Sequence, residues 1–406
     1  LTIWYNRVMA QNKHLEHLED DILNNGSSGG KTSIAFLKSL GDMLSQGNQK
    51  KGIKVTTKWD GAPAIVCGID PLKGYFFVGN KSVFNKTNPK ICYSSNDVDK
   101  HYPSSGLNKI LKECLKYLST LGIPDVLQGD LLFTEGTKTV QMVGGEKCVT
   151  FTPNTITYAI PLNTEIGARV NAAKIGIVFH TYYSGSNIAS LSAGFGVDVS
   201  SYQGHDDIAV FSSDFSDASG SANFTSTELT QFKTTISQAE GSLKQASKFL
   251  DAMAGKDKYS FNIVFKQFFN AYIRSGAMIP PVNQVVGDFA QYYNALLDKE
   301  INSKKSVKGK QKWQTVKNDG LKFIKANQRS IYMTAASYKS LTKAKLMVIR
   351  KLASVKDIGT FLKQGNGFKV TAPEGFVGIK NGTALKLVDR LEFSAANFST
   401  DKNWDK

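Results

Sequence analysis

The sequence predicts an α+β protein with mostly antiparallel sheets, interrupted by an all-α insertion. Three observations carry this. Residues 53–182 hold short β-rich runs bounded by turn residues. Residues 226–363 carry apolar positions at helical spacing and no strand pattern. Residues 368–390 return to strand character around an Asn381-Gly382 turn.

Taken in order, residues 7–24 predict an amphipathic helix with Leu15, Leu18, Ile22 and Leu23 on one face. Asn25 to Lys31 reads as a Gly/Ser loop, and Thr32 as the cap of a second helix to about Leu44. Strands follow near 53–58, 62–68 and 74–79, then a helix from Gly106 to Leu121. Further strands are expected near 125–134, 138–143, 147–152 and 155–160, a helix near 163–174, and a strand from Ile175 to Tyr182. Residues 184–225 are rich in Ser, Gly and Asp and read as a linker with one short strand at Ile208 to Phe211. Helices are expected at 226–253, 259–275, 285–302, 309–326 and 329–354. The domain division is then a helical segment (1–50), one α+β domain (51–183 plus 366–406), the linker (184–225) and a basic helical insertion (226–365).

A chain of 406 residues can bury a large core, and 41% apolar content is that of an ordinary globular protein. No apolar run is long enough to span a bilayer and no basic-then-apolar signal segment is visible, so no membrane partner and a cytoplasmic location are expected. Cys67, Cys92, Cys114 and Cys148 are widely spaced, which reads as reduced thiols rather than a disulfide framework or a zinc site. His14 and His17 lie one helical turn apart with no further ligands nearby, and read as a solvated helix face.

The net charge of +16 points to a polyanionic partner, nucleic acid first. The charge is concentrated: Ile301 to Lys356 holds fifteen Lys/Arg and one acid, Asp319. Lys304, Lys305, Lys308, Lys310 and Lys312 cluster before Trp313, and Lys317, Lys322, Lys325, Arg329, Lys339, Lys343, Lys345, Arg350 and Lys351 continue the run. A solvated helix face ordinarily interleaves acids with its lysines. This run does not, and a phosphate-backbone surface is expected there, with Lys304, Lys305, Lys308, Lys310, Lys312, Lys322, Lys325 and Arg329 as its contacts.

Gly26-Ser-Ser-Gly-Gly-Lys31-Thr32 imitates a phosphate-binding P-loop. The P-loop needs four residues between its first Gly and the Gly-Lys pair, and here there are three. It also follows an acidic helix instead of a buried strand, so it reads as a helix-capping loop.

The chemistry-bearing stretch is Lys58-Trp59-Asp60-Gly61, at the end of one β-rich run and before the apolar run Ala62 to Cys67. A lysine that closes a strand beside a tight turn can present its amine at the mouth of a sheet, and Lys serves as a covalent nucleophile when its surroundings favour the neutral form. Downstream lie GYFFVGNKS with Lys81, Gln128-Gly129-Asp130-Leu131-Leu132, the strand around Tyr158, Pro373-Glu374-Gly375-Phe376-Val377-Gly378-Ile379-Lys380, and Ala384-Leu-Lys386-Leu-Val388. Alternation along a strand would put Lys380 on the same face as Glu374, six residues earlier.

In that order these segments resemble the motifs of the covalent nucleotidyltransferase superfamily, which includes polynucleotide ligases and mRNA capping enzymes. The resemblance covers roughly residues 53–182 and 368–390, and RNA-ligase-like members fit best, since only about 20 residues follow Lys386, too few for a C-terminal OB-fold. The layout is also similar to an uncharacterised protein type of large tailed phages, which would place the chain in a host cytoplasm or on a virion.

The resemblance implies a ligase-like, ATP-grasp-related domain and an ATP-dependent ligase of RNA or DNA ends. Lys58 would be the nucleophile that forms lysyl-AMP, with Lys380 and Lys386 as catalytic cations that disfavour its protonated form. Asp60, Gly61, Lys81, Asp130, Tyr158 and Glu374 would bind the nucleotide. Tyr158 would stack on the base, and Glu374 would hold Mg²⁺ or Mn²⁺. Lys81 stands where the family usually has Arg, and Asp130 where it has Glu. Those two departures keep open a nucleic-acid-binding or virion-associated protein on a ligase-like scaffold. An enzyme that stops at nucleotide transfer is the third reading.

Overall fold

The structure is a computed structural model that describes residues 15–45, 53–103, 106–215, 222–255, 257–355 and 374–392, and the backbone of 359–364 and 367–370. It is α+β with antiparallel pairing dominant in three sheets. The expected His14 and Pro373 positions and the first half of the predicted helix 7–24 lie outside the described residues.

The first sheet is assembled from distant parts of the chain. Its order is Glu16–His17, Thr383–Leu387, Gly375–Lys380 and Lys54–Lys58. The second sheet runs Ser192–Phe195, Ile175–Ser184, Val126–Thr134, Ala64–Ile69 and Phe76–Gly79, with Ile208–Phe211 pairing parallel to Ile175–Val178. The third joins Gly367–Val370, Gly359–Gln364, Ile156–Pro161, Glu146–Phe151 and Lys138–Val143. Alternating apolar residues explain these strands: on Ile175–Ser184, Ile175, Ile177 and Phe179 enter one core with helix Gly106–Leu118, while Val178 enters another.

Five helices, Ser226–Ala252, Phe261–Arg274, Val285–Asn302, Val307–Ala326 and Gln328–Leu352, form a layer behind the first sheet. One apolar cluster unites Phe232, Phe265, Phe289 and Tyr338 of that layer with Leu37 and Leu40 of the N-terminal helix and Phe376, Leu385 and Leu387 of the sheet. The N-terminal segment is therefore part of the helical layer. No helix among the described residues is long and apolar enough to cross a membrane.

Four expectations need correction. The Gly/Ser stretch from Gly26 is the start of a twenty-residue helix, Gly26–Ser45, and not a capping loop. Its glycines serve close packing: a Cβ at Gly30 would sit 2.6 Å from Leu243 Cδ1 of the crossing helix. The Asp251 carboxylate caps the new start by accepting from Ser27 N and Oγ, each at 2.8 Å. Residues 16–24 are a short strand, a 3-10 turn and one helical turn, and not one amphipathic helix. His17 lies in that strand opposite Lys386, not on a solvated helix face. The 184–225 stretch is no linker in its first part. Its strands 192–195 and 208–211 join the second sheet, and Phe215 N donates to Val55 O at 3.0 Å on the edge of the first.

The basic run also divides. Lys345 is 1% exposed and donates to both oxygens of Glu19, itself 1% exposed, at 2.7 and 2.8 Å. Beside this pair Arg390 donates to Asp20 at 3.0 Å and lies 3.8 Å from Glu19, and the Tyr338 hydroxyl donates to Asp20 at 2.7 Å. Burial raises the Asp20 pKa, against the pull of the Arg390 charge. Lys345 thus belongs to a buried charge network that ties three parts of the chain together.

Removing one member of a buried ion pair strands the other. Lys345→Met is expected to cost about 3 kcal/mol in urea denaturation, the low end because Arg390 still faces Glu19. Glu19→Leu combined with Lys345→Met should recover most of that loss.

Candidate active site in the cleft around Lys58

A cleft opens where the first sheet faces the second. Lys58 ends the edge strand Lys54–Lys58, directly opposite Gly375 in the antiparallel register. Its Nζ contacts the Glu374 carboxylate, and both side chains are largely buried. Lys81, Asp130, His180 and Lys386 line the same cleft, with Thr57, Trp59, Val377 and Ile379 between them.

Each group arrives for a local reason. Val377 and Ile379 face the cleft, so Phe376, Gly378 and Lys380 face the helical layer behind the sheet. Glu374 escapes this alternation because it precedes the strand, at a backbone break. Gly375 has φ +153, and a Cβ there would lie 2.5 Å from Leu387 O, so only glycine fits. Lys386 projects into the cleft from the neighbouring strand, opposite Val377. Burial lowers its pKa first, and the charge of Lys58 lowers it further. Burial raises the pKa of Glu374, against the pull of Lys58, and the charges of Asp60 and Asp130 raise it further. Lys81 opens a short 3-10 turn whose cap, Asn80, accepts from Ser82 N at 2.9 Å.

Three expected site residues serve other ends. Lys380 points away from the cleft: its Nζ donates to Ser39 Oγ of the helix behind the sheet, at 2.5 Å. The Gly375 break defeats the parity argument that placed it with Glu374. Tyr158 is buried, with its ring 4.9 Å from that of Trp59 and 5.4 Å from that of Phe151. Its hydroxyl accepts from Asp60 N at 2.7 Å, and with only 3% of the residue exposed its ring is not open to a base. The Asp60 carboxylate takes Asn154 Nδ2 at 2.7 Å, Thr155 N at 2.7 Å, Thr155 Oγ1 at 2.6 Å and Ile156 N at 2.8 Å. It pins the turn after Lys58 to the third sheet and has no capacity left for a nucleotide. Gly61 lies in the same turn, against Asp130.

His180 was not singled out from the sequence. Gln128 and Gly129 face Thr181 and Phe179, so His180 is the extra residue of a β-bulge. The bulge resets the alternation, and Val178, His180, Thr181 and Tyr183 all line the cleft. His180 Nε2 lies 3.6 Å from Asp130 Oδ2, and Nδ1 is 2.8 Å from Thr181 Oγ1. A bulge has no periodic signature, so the sequence offered no pointer to it.

Among the described residues no three His, Cys, Asp or Glu side chains are grouped to hold a metal ion. Asp130 lines the cleft beside His180, and Glu374 meets it through Lys58. A single carboxylate such as Glu374 fits a divalent ion shared with phosphate oxygens, the usual manner of Mg²⁺, better than an all-protein cage. The four cysteines are free and buried, and burial raises the thiol pKa of each.

The basic helix Val307–Ala326 exposes Lys308, Lys310, Lys312, Lys322 and Lys325, and Lys305 and Arg329 flank it in exposed positions. Arg329 donates to Gln245 at 3.0 Å. Lys304 is engaged locally, with Glu300 at 2.5 Å and 5.5 Å above the Trp313 ring. Lys317 pairs with Asp298 and Lys351 with Glu228.

The chain belongs to a family of unknown function, DUF6267, whose model matches residues 12–402. No curated protein and no solved structure matches it.

If the Tyr158 hydroxyl supports the turn, Tyr158→Phe leaves Asp60 N buried without an acceptor. Stability should fall by about 1–3 kcal/mol, read from urea unfolding. A stability equal to that of the parent protein would show that this hydrogen bond does not hold the turn.

Proposed function

We propose that the protein is an ATP-dependent ligase of RNA or DNA ends, built on a ligase-like nucleotidyltransferase fold and working through lysyl-AMP on Lys58. The observation that supports this most is the meeting of Lys58 and Glu374, with Lys81, Lys386 and Asp130 in one cleft between antiparallel sheets. A nucleophilic amine, a carboxylate in contact with it and two more cations are the groups that nucleotide transfer needs.

In this reading Lys58 reacts as the neutral amine, its proton lost to solvent, while Glu374 beside it stays ionised. The amine attacks the α-phosphorus of ATP, a nitrogen–phosphorus bond forms, and the bond to the bridging oxygen breaks to release pyrophosphate. Lys81 and Lys386 face the cleft and offset the charge growing on the phosphate oxygens. Mg²⁺ or Mn²⁺ held by Glu374 would supply Lewis-acid stabilisation of the same oxygens. The AMP then passes to a 5′-phosphate end, and a 3′-hydroxyl displaces it. The exposed lysines of Val307–Ala326 would take the nucleic-acid backbone, adding affinity without sequence preference.

Incubation with α-labelled ATP and Mg²⁺, followed by denaturation, should leave label on the protein. Lys58→Ala should abolish it, and Lys386→Ala should slow labelling at least about 100-fold, the scale for loss of one charge-stabilising group. Lys380→Ala should label within about threefold of the parent, because its amine faces the helical layer. Label that survives Lys58→Ala rejects the nucleophile, and no label with ATP or GTP leaves a binding protein on this scaffold.

Replacing Lys308, Lys310 and Lys312 by Gln should weaken duplex binding and flatten its salt dependence, by about 0.9 in slope for each phosphate that the helix then leaves unneutralised. An unchanged slope would make that helix a plain solvated face.

A further inference from the structure

We propose that Asp130, His180 and Thr181 form the proton relay that activates the acceptor hydroxyl in the sealing step. The proposal rests on the ligase reading above and adds a task that the motif resemblance does not contain.

Sealing requires a hydroxyl to lose its proton as it attacks the adenylated phosphate. The cleft holds few groups able to accept one. Glu374 is in contact with Lys58, and the Asp60 carboxylate is filled by four donors. Tyr183 has its pKa pushed up to about 12 by burial and donates to Gln128 Oε1 at 2.7 Å. Lys81 and Lys386 are cations facing phosphate charge. His180 remains, and its two ring nitrogens already have an ordered setting.

With the proton on Nε2, that edge faces the Asp130 carboxylate 3.6 Å away, and Nδ1 accepts from the Thr181 hydroxyl at 2.8 Å. The Thr181 oxygen can then accept from a hydroxyl in the cleft. As the acceptor oxygen bonds to phosphorus, its proton moves to Thr181, and the Thr181 proton moves to His180 Nδ1. The bond from that phosphorus to the oxygen joining it to AMP breaks, and AMP leaves. The imidazolium so formed faces Asp130, which stabilises it as the third member of an acid–base triad does. The bulge makes this possible. In a regular strand His180 and Thr181 would lie on opposite faces, and here both line the cleft. The relay also gives a reason for Asp at position 130 in place of the longer Glu: the imidazole occupies the space beyond the shorter side chain.

The test separates the steps. Lysyl-AMP formation is measured with α-labelled ATP, and sealing with nicked RNA and DNA duplexes whose 5′ end is already adenylated, which bypasses the first two steps. For His180→Gln and Thr181→Val the ratio of sealing rate to labelling rate should fall at least about 100-fold, the lower end for general base catalysis. Thr181→Ser should keep the ratio within about threefold, and free imidazole should raise sealing by His180→Ala. Label uptake certifies that each variant is folded. A His180→Gln protein that labels and seals in the parent's ratio overturns the relay and leaves the ligase reading intact. A parent protein that labels but shows no sealing of either duplex also overturns it, and a parent that takes no label overturns both.

Discussion

The contact between Lys58 and Glu374 joins side chains 316 positions apart in the chain. Everything in the cleft depends on the strand pairing beneath it, Lys54–Lys58 against Gly375–Lys380. That pairing sets Lys386 one strand away and lays the first sheet's wall opposite His180 and Asp130. The break at Gly375 then does what alternation alone would not, turning a carboxylate toward the lysine at the mouth of the sheet.

Such a wall needs backing, because a sheet stitched from separate segments gains little from local turns. The helical layer supplies it. Phe376, Leu385 and Leu387 sink into the same apolar cluster as helices 226–252, 261–274 and 328–352. Behind them Glu19, Asp20, Lys345, Tyr338 and Arg390 hold the N-terminal segment, the last long helix and the segment after the final strand at one point. Buried charges of this sort add little net stability, but they penalise any packing that leaves one unpaired. The network fixes where the sheet sits more than how strongly it is held.

Much of the architecture was legible in the sequence because it is periodic. Strands near 126–134, 138–143 and 175–184 and the five later helices have apolar residues at spacings of two or three to four, and those patterns survive any tertiary context. What escaped depends on contacts between distant segments. Gly26 to Lys31, the first turns of helix Gly26–Ser45, looked like a loop because glycine is a poor helix former, yet Gly30 is needed where a second helix crosses. The Ser/Gly/Asp-rich stretch after 184 looked like a linker, yet its short strands find edges to join. Within the cleft, Lys58, Lys81, Asp130, Glu374 and Lys386 were all named from motifs and lie together. Lys380, Tyr158 and Asp60 were given cleft roles that the Gly375 break and the Asp60–Tyr158 hydrogen bond exclude. His180 needed the bulge to be seen.

The way the first sheet is stitched has a consequence for biosynthesis. Strand Lys54–Lys58 leaves the ribosome more than 300 residues before its partner at Gly375–Lys380. At about 5–20 residues per second, that strand waits on the order of 15–60 s for its partner. Through that interval Lys58 has no Glu374 beside it, and an edge strand stands open to other chains. A chain interrupted between Phe211 and Leu387 carries every strand of the second sheet and still lacks the complete cleft. The arrangement ties the amine's chemical setting to translation past that point, so a truncated product carries the lysine without the machinery around it.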